Sequence, residues 1–104
     1  MQPCITGWGH TKFGALRETP LEDLITAAAQ EALTHGGVSA ADVDGIWLGH
    51  FNSGMVPDAF ASSLVLGADD GLRFTPATRC ENACASGSAA IYSALESIRA
   101  GTTC

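Results

Sequence analysis

Apolar residues Leu21, Leu24, Ile25, Ala28 and Ala32 recur at helical spacing, which predicts a helix over 20–35. Thr19 reads as its N-cap, Pro20 as its first helical residue and Glu22 as the far member of a capping box, while Gly36-Gly37 supplies a left-handed stop. Elsewhere the pattern shortens. "PCITGW" (3–8) has the β-branched and aromatic content of a strand, and the mostly apolar "GIWLGHF" (45–51) reads as a second, buried one. "FTPATRCE" (74–81) reads as a third, with polar Thr75, Thr78 and Arg79 against small apolar Ala77 and Cys80. Pro76 cannot donate to a ladder, so this strand needs an irregular or edge-like stretch.

The connections read from turn chemistry. "GHTKFG" is a Gly-bounded loop, "VSAADVDG" (38–45) a short capped turn with Ser39 and Asp42 three apart, and "NSGMVPD" (52–58) a second loop. "AFASSLVLGA" (59–68) suits one or two helical turns. A last helix over 85–100 carries Ile91, Leu95 and Ile98 on one face and Tyr92, Glu96 and Arg99 on another, and ends at Gly101. The order strand, helix, strand, short helix, strand, helix makes the chain α/β.

Composition narrows the function classes. With 104 residues, 46% apolar and 15% charged, the chain reads as one core-forming domain over 1–104, without repeat, low-complexity tract or linker. A net charge of −6 argues against nucleic acid, which calls for a basic stripe. No apolar run reaches the length of a membrane span, and "MQPCITGWGH" lacks the flanks of a secretory signal, so a cytoplasmic, non-membrane protein is expected. Trp8 and Trp47 read as core or sheet-face residues and Asp69-Asp70 as a solvated turn. The first half of the last helix, "ASGSAA" (85–90), is small and uncharged on every side, which suits a helix packed all round. Three short strands and one other helix cannot surround it, and the chain stops at "AGTTC", where an α/β alternation next supplies a strand. The expectation is a truncated chain or a piece of a larger protein.

The chemistry concentrates in "CENACASG". Cys4, Cys80, Cys84 and Cys104 are scattered rather than set at framework spacings and read as reduced thiols. Cys80 and Cys84 are not a Cys-x-x-Cys pair, and His10, His35 and His50 stand far apart, so no metal site is expected. Cys84 falls between strand 74–81 and helix 85–100, where unpaired N–H groups and the helix dipole favour a thiolate. Its own N–H is a candidate oxyanion donor, and the small residues after it let a substrate approach the backbone. These are the parts of acyl transfer through a thioester. The competing structural reading is plain burial, since free cysteine is among the most buried residue types.

"ENACASGSAAI" resembles the nucleophile motif of the thiolase family, in which a cysteine that begins a buried helix is followed by a small residue, Ser or Thr, and Gly. "GWGHTKFG", "DVDGIWLG" and "RFTPATRCENACASG" resemble, in the same order, the amino-terminal third of acetyl-CoA acetyltransferases of the sterol carrier protein X branch, over nearly the whole chain. Glu81 before Asn82 departs from the Val-Asn pair of other thiolases and fits that branch.

The resemblance implies the amino-terminal portion of a thiolase-like fold, a mixed sheet with packed helices, incomplete in this chain. It implies that Cys84 attacks an acyl-CoA thioester, holds the acyl group and passes it to a second acyl-CoA or, in reverse, cleaves a 3-ketoacyl-CoA. Coenzyme A thioester is then substrate, with no other cofactor. The family's remaining catalytic groups, an Asn or His, the His of Gly-His-Pro and the Cys of Cys-Gly-Gly, lie in its carboxy-terminal half and have no counterpart in this sequence. His10 and His50 follow glycines, but Thr11 and Phe51 stand where proline would, and both read as loop or strand-end residues. The chain alone is therefore expected to be inactive. The family's coenzyme A contacts also come mainly from that half, consistent with only five cations here, Lys12, Arg17, Arg73, Arg79 and Arg99. Met55 and Phe60 follow the second strand, where thiolases shape the acyl pocket, although packing explains them equally. The resemblance further implies a homodimer or tetramer through strand 74–81. A ketoacyl-synthase-like condensing enzyme with the same nucleophile and a non-catalytic assembly subunit are the alternatives.

Overall fold

Helix α1 spans Leu21–Gly36 in a computed structural model of the chain, which describes residues 2–51 and 54–104. Its start lies one residue later than predicted. Pro20 keeps extended angles (φ −61°, ψ 153°) and is itself the N-cap, its carbonyl accepting from Leu24 N–H at 3.2 Å. Thr19 therefore lies outside the helix, no side chain caps it, and the Thr19–Glu22 capping box does not form. At the other end Gly37 is left-handed at φ 63°; Val38 N–H returns to Leu33 O and Gly37 N–H to Thr34 O, the Schellman pattern that satisfies the last carbonyls.

The expected strand over 3–8 is absent. Among the described residues none of 3–8 joins a strand ladder, and a strand without a hydrogen-bonded neighbour is only extended chain. The segment runs along α1 instead: Trp8 N–H donates to His35 Nδ1 at 3.1 Å, and a side chain on Gly9 would collide with α1 backbone, Ala32 N lying 2.9 Å from the place of its Cβ. Trp8 is 65% exposed, contrary to the core role expected of it.

A 3₁₀ turn over Ala40–Asp42 follows, its N-cap Ser39 making no side-chain bond, and leads into β1, Ile46–Gly49. Strand β2, Ala77–Cys80, pairs parallel to β1 in the register Ile46 with Ala77 through Gly49 with Cys80. Pro76 lies just before β2, where its carbonyl accepts from Ile46 N–H at 2.9 Å and its missing donor costs nothing. Both strands are shorter than the apolar runs that predicted them. The crossover between them carries a 3₁₀ helix over Ala61–Ala68, matching the expected helical turns, and a 3₁₀ turn over Asp70–Leu72. Asp69 and Asp70 are exposed as expected, with Asp69 capping that turn through Gly71 N–H at 2.8 Å. The loop predicted over 52–58 begins on Asn52 and Ser53, which lie outside the described residues.

Helix α2, Ser86–Ala100, closes the order and stops at Gly101 (φ 76°) in a second Schellman turn, with Thr102 N–H on Ser97 O at 3.1 Å. The α/β reading stands, as a partial unit whose described sheet is a parallel pair. α1 packs on the 61–68 helix and α2 on β1. The core is small: Ala40, Ala68 and Leu72 are buried, with Leu33, Val43, Ile46, Val65 and Leu66 packed around them. Burying Leu72 contributes about 1.5–3 kcal/mol, yet large apolar residues such as Ile5, Phe13, Phe74 and Ile91 remain exposed. Among the described residues no helix is long and apolar enough to cross a membrane.

Candidate active site

The chain leaves β2 at Cys80 and enters α2 at Ser86, so five residues, Glu81 to Ala85, must turn it from one to the other. Cys84 stands in that turn, exposed, two residues before the helix and one before its N-cap Ala85. The predicted strand-to-helix placement holds, and within residues 1–104 Cys84 is exposed. All four cysteines are free; Cys4 and Cys104 are also exposed, whereas Cys80 is half-buried with Sγ 3.8 Å from Ser93 Oγ.

Hydrogen bonds hold the turn. Asn82 N–H donates to Ser86 Oγ at 2.9 Å, and Ser86 Oγ–H donates to Ala83 O at 2.7 Å. Ser86 N–H reaches the same carbonyl at 3.2 Å, and Ala85 N–H donates to Asn82 O at 2.9 Å. Ala83 N–H donates to the Glu81 carboxylate. Ala83 needs this support, because its φ of 46° is left-handed and costs an L-residue about 1–2 kcal/mol. Five bonds at a net ~0.5–1.5 kcal/mol each outweigh that cost. Among the described residues no hydrogen bond engages the Cys84 N–H.

Strand β1 sets the helix from below. A Cβ on Gly49 would lie 2.5 Å from Ser86 O and 2.7 Å from Gly87 Cα, so the two backbones touch where α2 begins. His50 follows, its N–H on Cys80 O at 3.0 Å, which puts it at the carboxyl end of the parallel pair, as expected of a strand-end residue. Its Nδ1 is buried and has no hydrogen-bond partner among the described residues. His10 lies in the amino-terminal segment, edge-on to Phe13 at 4.7 Å, and His35 accepts from Trp8 N–H. Among the described residues no hydrogen bond joins either histidine to the Cys84 turn. Met55 and Phe60 are exposed, so the packing role open to them in the sequence is not seen. Trp47 is half-buried on β1, above a groove lined with Gly49, Gly87, Ala90 and Ala94.

Sequence reasoning missed three residues of this arrangement: Ser86, Glu81 and Gly49. Ser86 carried a signal, a hydroxyl at the start of a helix, where such groups cap. Glu81 and Gly49 carried none, since a turn bond two residues long and a contact across 37 positions leave no mark on periodicity.

Residues 4–103 match the family described as "Thiolase, N-terminal domain". The chain is similar to the acetyl-CoA acetyltransferase of Methanocaldococcus jannaschii, 33% identical over 99 residues that cover 95% of this chain and 25% of that protein. It is also similar to the acetyl-CoA acetyltransferase of Methanothermobacter thermautotrophicus, 37% identical over 99 residues, covering 93% of this chain and 25% of that protein. The chain thus spans about a quarter of the length of these relatives.

Proposed function

The chain belongs to the thiolase family through that amino-terminal domain, and from this we infer that it supplies the nucleophile of a thiolase-type acyltransferase, with Cys84 forming the acyl-enzyme. The observation that carries the reading is Cys84 exposed on a braced strand-to-helix turn, its own N–H unengaged, inside a family match that spans the turn. Thiolate attack on a thioester carbonyl forms the C–S bond to Cys84 and leaves a tetrahedral oxyanion; collapse expels the coenzyme A thiolate, which takes up a proton. The Cys84 N–H, at the start of α2, supplies one donor to that oxyanion. The relatives' name points to acetyl as the acyl group and coenzyme A as its carrier.

Proton delivery to the leaving thiol is worth typically 10²–10⁴-fold, and among the described residues no histidine or carboxylic acid is hydrogen-bonded to Cys84. Residues 1–104 alone therefore do not turn over. The test is peptide mapping of the full-length gene product after exposure to acetyl-CoA. An acetyl adduct on Cys84, lost in Cys84→Ala with the circular dichroism unchanged, supports the reading. Turnover by Cys84→Ala, or acetylation on another cysteine, refutes it.

A further inference from the structure

We propose that Ser86 is a positioning residue for acyl transfer, with Glu81 as its second support: together they orient the peptide group whose N–H belongs to Cys84. This rests on the acyl-enzyme reading above. The Ala83 carbonyl and the Cys84 N–H are the two ends of one trans peptide plane, so holding the oxygen fixes where the hydrogen points. Ser86 holds that oxygen twice, through Oγ–H at 2.7 Å and through its own N–H at 3.2 Å, on the side facing the helix. The Cys84 N–H is thereby turned away from α2.

The preceding plane is held at both ends as well. Asn82 O accepts from Ala85 N–H at 2.9 Å, and Ala83 N–H donates to Glu81. Ser86 Oγ also accepts from Asn82 N–H at 2.9 Å, so a hydroxyl only 6% exposed uses both its donor and an acceptor site inside one turn. Among the N–H groups of residues 82 to 86, that of Cys84 alone is left unengaged among the described residues. Two donors on the Ala83 carbonyl also polarise its peptide, which strengthens the N–H at the far end as a donor. A group that served only to cap α2 would have no reason to grip the carbonyl on the other side of the nucleophile.

The distinguishing experiment compares two reactions of the same sulfur in the full-length gene product. Acylation by acetyl-CoA passes through an oxyanion and needs the oriented N–H; alkylation by iodoacetamide is a displacement at carbon and does not. Ser86→Ala is expected to lower the single-turnover acylation rate by about 10- to 100-fold, short of the ~10²–10³ that follows complete loss of an oxyanion donor. Iodoacetamide labelling of Cys84 stays within about threefold, because the site keeps its exposure. Ser86→Thr, which keeps the hydroxyl, restores acylation to within roughly fivefold of the parent. Glu81 is exposed, so Glu81→Ala spares the fold and carries the test if Ser86→Ala does not fold: acylation falls several-fold and Glu81→Gln, which keeps a carbonyl acceptor, recovers it. Acylation unchanged in both alanine variants, or acylation and alkylation falling in equal proportion, overturns the inference alone. A parent protein that acetyl-CoA does not acylate on Cys84 overturns the acyl-enzyme reading and the inference with it.

Discussion

Placing a methyl group on Gly49 tests whether β1 sets the position of the Cys84 turn. The Cβ of Gly49→Ala would meet Ser86 O at 2.5 Å, Ser86 C at 2.6 Å and Gly87 Cα at 2.7 Å. All three are backbone atoms, so no side chain can swing aside to make room. Moving Ser86 O from 2.5 Å to the 3.4 Å of ordinary contact is a shift of about 0.9 Å, and it must be taken by the start of α2 or by β1. Overpacking of this kind costs about 1–3 kcal/mol. If α2 yields, Ser86 moves relative to the end of β2, and the bonds that grip Ala83 are stretched with it. A displacement near 1 Å at a reacting group costs up to ~10²-fold in rate. The assay is equilibrium urea unfolding of the full-length gene product, paired with single-turnover acylation by acetyl-CoA. Gly67→Ala is the matched control, since its Cβ meets only Thr26 Cγ2 at 3.4 Å and Glu22 Oε1 at 3.9 Å, and it should stay within ~0.5 kcal/mol of the parent. A Gly49→Ala protein with the parent's urea midpoint and acylation rate would refute the claim that these backbones are in contact.

Gly37→Ala should lower stability by about 1–2 kcal/mol, because φ is 63° and no atom lies near the added methyl, so the cost is backbone alone; an unchanged urea midpoint would contradict the left-handed stop of α1. The full-length gene product should sediment as a dimer or tetramer at micromolar concentration, joined through residues 74–81, whose Thr78 and Arg79 are exposed; a monomer there would remove that interface. Residues 1–104 alone, with Ile5, Phe13, Phe74, Ile91 and Tyr92 uncovered, should aggregate, and a cooperative monomeric transition would show that they do not need covering.

What the sequence revealed follows from the range of the forces involved. Helices α1 and α2 were legible because 3.6-residue periodicity and a left-handed glycine are local properties, and the ends at Gly37 and Gly101 agree with them. The start of α1 was misread by one residue because Pro20 fits either the N-cap or the first turn, and only its ψ of 153° decides between them. "PCITGW" has strand residues but no strand, since pairing depends on a neighbour that composition does not name. Trp8 was misplaced for the same cause: its segment pairs with neither β1 nor β2, and its ring is exposed. The place of Cys84 was legible because the pattern changes from strand to helix beside it, whereas the brace around it depends on which peptide planes face each other.

The small residues at the head of α2 have separate causes within residues 1–104. Ser86 is small because its hydroxyl must fit inside the turn it bonds, where it is 6% exposed. At Gly87 the constraint falls on the strand instead, since a Cβ on Gly49 would lie 2.7 Å from Gly87 Cα whereas one on Gly87 would meet no atom within 4 Å, and Ala90 is buried one turn further along. Ser88, Ile91 and Tyr92 point elsewhere and are exposed. Smallness is thus demanded at Ser86 and, across the contact, at Gly49, and merely permitted at Gly87 and Ser88. The contact of Gly49 with Ser86 is what couples the sheet to the Cys84 turn: the closer β1 lies to α2, the fewer positions Ser86 can take, and the more narrowly the Ala83 carbonyl, and so the Cys84 N–H, is aimed.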